Sequence, residues 1–211
     1  MIDIKLLLLG ETGVGKTSIM HRFAKNKYED VKSSTIGIDY ETKIIKYKGK
    51  SYKIQLFDTA GQEKYKSIIK GYYHLGTGYF VVFDLTNENS LNSVHDWIKE
   101  IQEKSEDSDP IIIILGNKND LENIRISDDI IKNKLENYKN KIYIETSAKE
   151  NTNITHAFEQ MIELVEKDDN LKSEINSFSL KKKNHKDGKN DKNKDKNKDK
   201  NQYKNENKKC C

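Results

Sequence analysis

The chain has 211 residues, of which 34% are hydrophobic and 34% charged, with a formal net charge of +4. This length suits one domain of ordinary size plus an extension and leaves too little chain for a second domain. The two cysteines are the last two residues, which excludes an internal disulfide framework and favours a reducing compartment. The apolar run at residues 6–9 is too short for a secretory signal or a membrane span, and Ile2 in place of Gly excludes N-myristoylation.

An apolar run, Ile4 to Leu9, leads directly into a glycine-rich segment, Gly10 to Thr17, with the pattern G-x-x-x-x-G-K-[ST]. A strand that continues through glycines into a helix gathers backbone N–H groups in one concavity at the positive end of the helix dipole. The pattern predicts a polyphosphate cradle in which Lys16 reaches the β and γ phosphates and the Thr17 hydroxyl binds Mg²⁺. A glycine-rich turn without a ligand is the alternative. The expected nucleotide-binding residues are Thr12, Gly13, Val14, Gly15, Lys16, Thr17 and Ser18.

Strand and helix signals alternate along the chain that follows. Helix character continues to about Ala24, and strand segments at residues 36–47 and 51–57 flank a turn, which predicts a hairpin. Apolar runs at 79–85, 111–115 and 142–144 are typical of strands covered on both faces. Helical spacing recurs over 91–101 and 154–165, and Ser127 is predicted to cap a further helix. These signals predict an α/β, three-layer P-loop NTPase fold, with a six-stranded, mostly parallel sheet, one antiparallel strand and helices on both faces.

Beyond residue 175 the composition changes. Apolar residues almost vanish and a Lys-Asn-Lys-Asp unit repeats from Lys189 to Asn201, a composition that buries too little surface to fold. Thirteen lysines face five acidic residues over 181–211, so the tail is basic and the body acidic. We predict a folded domain over 1–175 and a disordered Lys/Asn-rich tail over 176–211. A nucleic-acid-binding arm is disfavoured, because Tyr203 is the only aromatic residue among these lysines.

A second polar segment, Asn117 to Asp120, follows the apolar run at 111–115, and ligands of parallel sheets bind at such carboxyl ends. An ionised Asp120 accepts two hydrogen bonds, which suits the N1–H and the 2-amino group of guanine. Adenine presents an acceptor there, so this segment favours guanine over adenine and disfavours an ATPase or kinase. Backbone N–H groups of Ser147, Ala148 and Lys149, after the strand at 142–144, are expected to meet the guanine O6. A surface turn at 117–120 is the alternative.

These motifs resemble those of the Ras-like small GTPases. The order and spacing match over about residues 3–170, at Gly10 to Thr17, Thr35, Asp58 to Gln62, Asn117 to Asp120 and Ser147 to Lys149. Four segments look specifically like the Rab branch of this family: Ser34 to Tyr40, Asp58 to Glu63, Tyr72-Tyr73 and Cys210-Cys211. The resemblance implies a switch that binds GTP and GDP with Mg²⁺, hydrolyses GTP slowly and recruits effectors to membranes in vesicle trafficking. A GTP-binding scaffold with negligible hydrolysis is the alternative.

The resemblance also assigns roles to single residues. Gln62 is implied to be catalytic by orienting the attacking water, and Gly61 to offer its N–H to the γ phosphate. The implied metal-binding residues are Thr17, Thr35 and Asp58. The remaining implied nucleotide contacts are Tyr28, edge-on to the guanine ring, Asn117, and Lys118 along the guanine face. Thr12 replaces the smaller residue usual in relatives, and we hypothesise that it slows intrinsic hydrolysis.

Partners follow from the same resemblance. Residues 32–38 and 61–70 are expected to read the nucleotide state, and the implied effector-binding residues are Ile36, Ile38, Tyr40, Phe57 and Tyr72. The implied regulators are a guanine nucleotide exchange factor, a GTPase-activating protein, a prenylation escort and a GDP-dissociation inhibitor. Cys210 and Cys211 are expected to carry geranylgeranyl groups, which place a monomeric protein in the cytosol and on the cytosolic face of an endomembrane compartment.

Overall fold

One mixed sheet organises the computed structural model, which describes residues 1–28, 38–59, 71–121, 125–138 and 141–168. Within these residues the strands are β1 (Ile2–Leu9), β2 (Ile38–Tyr47), β3 (Lys50–Thr59), β4 (Gly78–Asp84), β5 (Ile112–Asn117) and β6 (Ile142–Glu145). The helices are α1 (Lys16–Lys25), α2 (Glu88–Asn92), α3 (Val94–Lys104), α4 (Asp128–Leu135) and α5 (Ile154–Lys167), with a 3₁₀ turn at Glu136–Tyr138.

The strand order is β2-β3-β1-β4-β5-β6, and β1 lies inside the sheet. The β2 and β3 strands pair antiparallel, whereas all other neighbours pair parallel. The carboxyl ends of β1, β3, β4, β5 and β6 therefore lie at one edge of the sheet, where ligands of such folds bind. The predicted fold class is confirmed.

Helices cover both faces of the sheet because the inner strands are apolar on both sides. Leu7 and Leu9 of β1 pack into a buried cluster with residues of α3 and α4. On the opposite face, Phe158 of α5 stacks on Phe23 of α1 with ring centroids 3.5 Å apart and meets Phe80 of β4 edge-on at 4.9 Å. Both faces of the sheet are therefore covered by packed helices.

Two predictions about the elements need correction. The helical pattern over residues 91–101 belongs to two helices, which meet at Ser93. The Ser93 Oγ donates to the Asn89 carbonyl at 3.1 Å and so competes with the backbone N–H for that acceptor. The strands β3 and β5 each continue two residues beyond their predicted ends, through Thr59 and Asn117. Ser127 occupies the predicted N-cap position of α4, although its side chain makes no capping hydrogen bond.

The hairpin of β2 and β3 is fastened to α5 at its tip. Lys48 pairs with Glu163 at 2.6 Å, and Lys50 pairs with Glu166 at 2.5 Å. Tyr47 also donates to the Glu163 carboxylate. The hydrogen bonds from Lys48 and Lys50 lower the pKa of Glu163 and Glu166 respectively. The antiparallel edge of the sheet is thereby tied to the last helix.

All described residues belong to one compact unit. The predicted boundary at residue 175 falls outside the described residues and stays a prediction. Among the helices that the structure describes, none combines the length and the apolar character needed to cross a membrane.

Candidate nucleotide-binding site

The loop between β1 and α1 has the backbone that its glycines predict. Gly10 has a φ of +142°, and a Cβ there would lie 2.2 Å from the Val82 carbonyl oxygen. Gly15 has a φ of +98° at the N-cap of α1, and its Cβ would lie 2.3 Å from Asn117 Nδ2. Side chains are therefore excluded at both positions by conformation and by the close approach of neighbouring elements. Thr12 and Gly13 are exposed at the rim of this loop.

Lys16 places a buried cation beneath the loop. Its side chain is 6% exposed, and Nζ donates to the Gly10 and Glu11 carbonyls, both at 2.8 Å. Burial lowers the pKa of Lys16 to about 8, although the nearby charges of Asp58 and Glu11 act in the opposite direction. An ammonium held out of water in this way is stabilised by an added anion, as a phosphate would provide.

Thr17 and Asp58, which the phosphate-loop motif and the family resemblance respectively assign to Mg²⁺, lie together. Thr17 Oγ1 donates to Asp58 Oδ2 at 2.5 Å, and Asp58 is fully buried at the carboxyl end of β3. A hydroxyl and a carboxylate are hard oxygen donors, and Mg²⁺ in phosphate sites typically uses one or two protein ligands besides the phosphates. This pair therefore fits Mg²⁺ beside the phosphate loop.

A cavity of about 340 Å³ adjoins the loop on the side of β5 and β6. It is lined by Gly15, Ser18, Tyr28, Asn117, Lys118, Asp120, Leu121, Ala148 and Lys149. Tyr28 is 40% exposed at its mouth. The structure thus brings together predicted nucleotide-binding residues from four separate segments of the chain. A larger cavity of about 600 Å³, between α4 and strands β5 and β6, contains none of these residues.

Asp120 is oriented inside the cavity by its neighbours. Ser147 Oγ donates to Asp120 Oδ1 at 2.6 Å, and Lys149 Nζ lies 3.7 Å from Oδ2. The Asp120 side chain is 10% exposed. A carboxylate with one oxygen fixed and little access to water discriminates strongly between donors and acceptors on a ligand.

Asn117 braces the site in a way that its motif does not reveal. Its Nδ2 donates to the Val14 carbonyl at 2.9 Å. Its Oδ1 accepts from Ala148 N–H at 3.2 Å and from Thr146 Oγ1 at 3.3 Å. Asn117 is 2% exposed. Its side-chain amide joins the phosphate loop, at Val14, to the segment after β6, at Thr146 and Ala148. Asn117 also lines the cavity, so it lies where the resemblance places a nucleotide contact.

The amides expected to meet guanine O6 are partly engaged within the protein. Ser147 N–H donates to the Thr152 carbonyl at 3.1 Å, and Ala148 N–H donates to Asn117 as described. Arg22 of α1 holds the same segment from the other side, since it donates to the Ala148 and Lys149 carbonyls at 2.8 and 2.7 Å.

Lys118 is also fixed by a residue that the sequence motifs do not mark. Its backbone has a φ of +69°, and Nζ lies 2.6 Å from Asp84 Oδ2. The other carboxylate oxygen of Asp84 accepts from Thr86 N–H at 2.9 Å. Asp84 is the last residue of the buried strand β4. A polar residue at that position was the sequence signal that could have indicated its role. Arg22 gave no such signal, because a cation in the last turn of a helix is ordinary.

The predicted effector-binding aromatic residues form a cluster away from the cavity. The ring centroids of Tyr40 and Phe57 lie 6.0 Å apart, and those of Phe57 and Tyr72 lie 5.7 Å apart. Tyr40 is 61% exposed, while Ile38, at the start of β2, is partly buried. Six predicted functional residues lie outside the described residues, namely Thr35, Ile36, Gly61, Gln62, Cys210 and Cys211.

Fold and site together define a P-loop protein with a separate pocket suited to a nucleotide base. The Ras family model matches residues 5–167. The chain is 37% identical over 158 residues to Ras-related protein RGP2 of Oryza sativa subsp. japonica, covering 75% of this chain and 72% of that protein. It is 36% identical over 161 residues to Ras-related protein Rab-3A of Homo sapiens, covering 76% and 73% respectively. The chain therefore belongs to the Ras family and is a Rab-like small GTPase.

Replacing Asp120 by Asn tests the base pocket. The introduced amide would present a donor where guanine also donates, so we expect GDP affinity to fall by about a hundredfold, the loss of one or two charge-assisted hydrogen bonds. Xanthosine diphosphate, which carries an acceptor at position 2, should gain affinity. Titration calorimetry with both nucleotides measures this exchange. Asp129→Asn on the exposed face of α4 is the matched control, and equal GDP affinity in both variants would contradict the assignment.

Proposed function

We propose that this chain is a membrane-recruited guanine nucleotide switch that cycles between GTP and GDP. The observation that carries the proposal is the meeting, at one edge of the sheet, of the buried Lys16 ammonium, the Thr17–Asp58 pair and the Asp120 pocket. These groups suit, in that order, phosphates, a hard cation and guanine. No single one of them is specific to a GTPase, and their combination supports binding of a guanine nucleotide with a divalent cation.

In the proposed reaction, the backbone of residues 12–18 and Lys16 hold the phosphates, while Thr17, Thr35 and Asp58 hold Mg²⁺. Mg²⁺, when bound by these oxygen donors, would supply positive charge to the phosphates. Gln62 orients a water molecule in line with the γ phosphate, and Gly61 donates its N–H to that phosphate. Because no further cation, such as an arginine from a partner, joins Lys16 and Mg²⁺ at the phosphates, intrinsic turnover is expected to be slow, on the order of 10⁻⁴ per second as in Ras.

Because intrinsic hydrolysis is slow, partner proteins determine which nucleotide is bound. An activating protein that inserts an arginine can raise the rate by up to about 10⁵-fold, and an exchange factor restores GTP. Loss of the γ phosphate removes one partner each from Thr35 and Gly61, so residues 32–38 and 61–70 change with the nucleotide. Effectors read these segments together with the Tyr40, Phe57 and Tyr72 cluster.

Membrane recruitment depends on the tail. Two geranylgeranyl groups on Cys210 and Cys211 would hold the protein firmly, since one lipid chain binds only reversibly. The lysines of the tail add attraction to anionic headgroups. A prenylation escort and a GDP-dissociation inhibitor would carry the lipidated protein through the cytosol. By analogy with its Rab relatives, we assign it to vesicle trafficking on the cytosolic face of an endomembrane compartment.

The nucleotide that copurifies with the bacterially expressed chain, followed by single-turnover GTP hydrolysis, tests this function. We expect GDP to copurify and bound GTP to decay slowly with Mg²⁺. Thr12→Ser should speed the decay, because Thr12 is exposed at the loop rim, close to where we expect the water and the γ phosphate to meet. An unchanged rate would overturn the role of Thr12. Persistent, unhydrolysed GTP in both proteins would favour the scaffold alternative, and a copurifying adenine nucleotide would contradict the proposal.

Replacing Cys210 and Cys211 by Ser tests the anchor. In a eukaryotic cell that prenylates such endings, the double variant should move from the membrane fraction to the soluble fraction. Its GDP affinity should remain that of the wild type, because both residues lie far along the chain from the nucleotide site. Continued membrane association of the double variant would contradict a lipid anchor.

A further inference from the structure

Arg22 connects α1 to the segment that closes the base cavity. Its Nε donates to the Ala148 carbonyl at 2.8 Å and its Nη2 donates to the Lys149 carbonyl at 2.7 Å. The two carbonyls are consecutive, so the planar guanidinium holds two peptide groups at once. Nothing in the nucleotide-binding motifs assigns a role to this residue.

Because Arg22 binds the two carbonyl oxygens, it also sets the direction of the N–H groups in the same two peptide groups. In a trans peptide the C=O and the following N–H point in opposite directions. Arg22 therefore turns the N–H groups of Lys149 and Glu150 away from α1. Glu150 N–H donates to Ser147 Oγ at 3.0 Å, and Ser147 Oγ donates to Asp120 Oδ1 at 2.6 Å. A continuous chain of hydrogen-bonded groups thus runs from Arg22 to the carboxylate that selects guanine.

The same helix carries both ends of the nucleotide site. Lys16 and Thr17 lie in the first turn of α1, and Arg22 lies six residues after Lys16, about 9 Å along the axis at 1.5 Å per residue. The phosphate-binding residues and Arg22 therefore share one helix of 10 residues with a buried face. The position of the phosphate-binding residues is therefore linked mechanically to the orientation of the base-binding segment.

We propose that Arg22 is a positioning residue for guanine recognition, acting through the Ala148 and Lys149 peptides on Ser147 and Asp120. This inference rests on the proposed guanine nucleotide binding. A purely structural role is the competing explanation, since Arg22 Nη1 also donates to the Asn26 carbonyl at 3.1 Å, at the end of its own helix. The two explanations differ in their effect on base discrimination, because loss of helix stability alone weakens all nucleotides equally.

Arg22→Gln, Arg22→Lys and Lys25→Gln form the test set. Lys25 lies in the same last turn and pairs with Glu41 of β2 at 2.6 Å, so its replacement removes a comparable charge without touching the base cavity. The readouts are the release rate of radiolabelled GDP and the affinity ratio of GDP to inosine diphosphate, which lacks the 2-amino group read by Asp120. Thermal unfolding of each nucleotide-bound variant is measured alongside.

Arg22→Gln should release GDP at least about tenfold faster, the effect of losing one or two charge-assisted hydrogen bonds, and should lower the GDP preference over inosine diphosphate about threefold or more. Arg22→Lys should restore only part of the slow GDP release and of the GDP preference, since one ammonium does not replace the several N–H donors of a guanidinium. Lys25→Gln should stay within about twofold of wild type.

An unchanged GDP-to-inosine-diphosphate ratio in Arg22→Gln would overturn the proposal, as would an Arg22→Lys variant identical to wild type. Arg22→Lys alone decides the matter if the Gln variant does not fold. Failure of the wild-type chain to bind GDP at all would instead contradict the proposed function, so the two failures are distinguishable.

Discussion

The site depends on the side-chain amide of Asn117. Through three hydrogen bonds it joins the Val14 carbonyl of the phosphate loop to Thr146 and Ala148 beyond β6. The amide is buried, so an unmatched donor or acceptor would be costly, and the three segments have to meet for its partners to exist. Gly15 is part of the same constraint, because a Cβ there would lie 2.3 Å from Asn117 Nδ2 and clash with it.

Around this amide, charged groups fix the remaining geometry from outside the cavity. Asp84 holds Lys118, and Arg22 holds the peptide groups after Ala148. On the far side, Arg125 binds the Glu145 carboxylate through both Nη atoms, at 2.7 and 2.6 Å, and donates to Asn119 Oδ1 at 2.9 Å. The loops of the base pocket are thus held by Asp84 at the end of β4, by Arg22 of α1 and by the Arg125–Glu145 ion pair. Such support favours a preformed site.

Much of the fold and of the site was predictable because its signals are local. The phosphate loop and the segment from Asn117 to Asp120 are contiguous motifs that follow apolar strands, and the structure places both at one edge of the sheet. The break at Ser93 was not predictable from spacing, since the apolar residues keep their period across it. The Arg22 contacts were not predictable either, because the residues involved are separated by 126 and 127 positions and meet only once the domain has folded.

We propose that the response of the switch to the γ phosphate is confined to residues 32–38 and 61–70. Hydrogen–deuterium exchange of the Mg²⁺-loaded protein, compared between GDP and a non-hydrolysable GTP analogue, measures this directly. We expect slower exchange with the triphosphate over residues 32–38 and 61–70, and equal exchange in α5. Identical exchange of the two segments in both nucleotide states would contradict a switch of this kind.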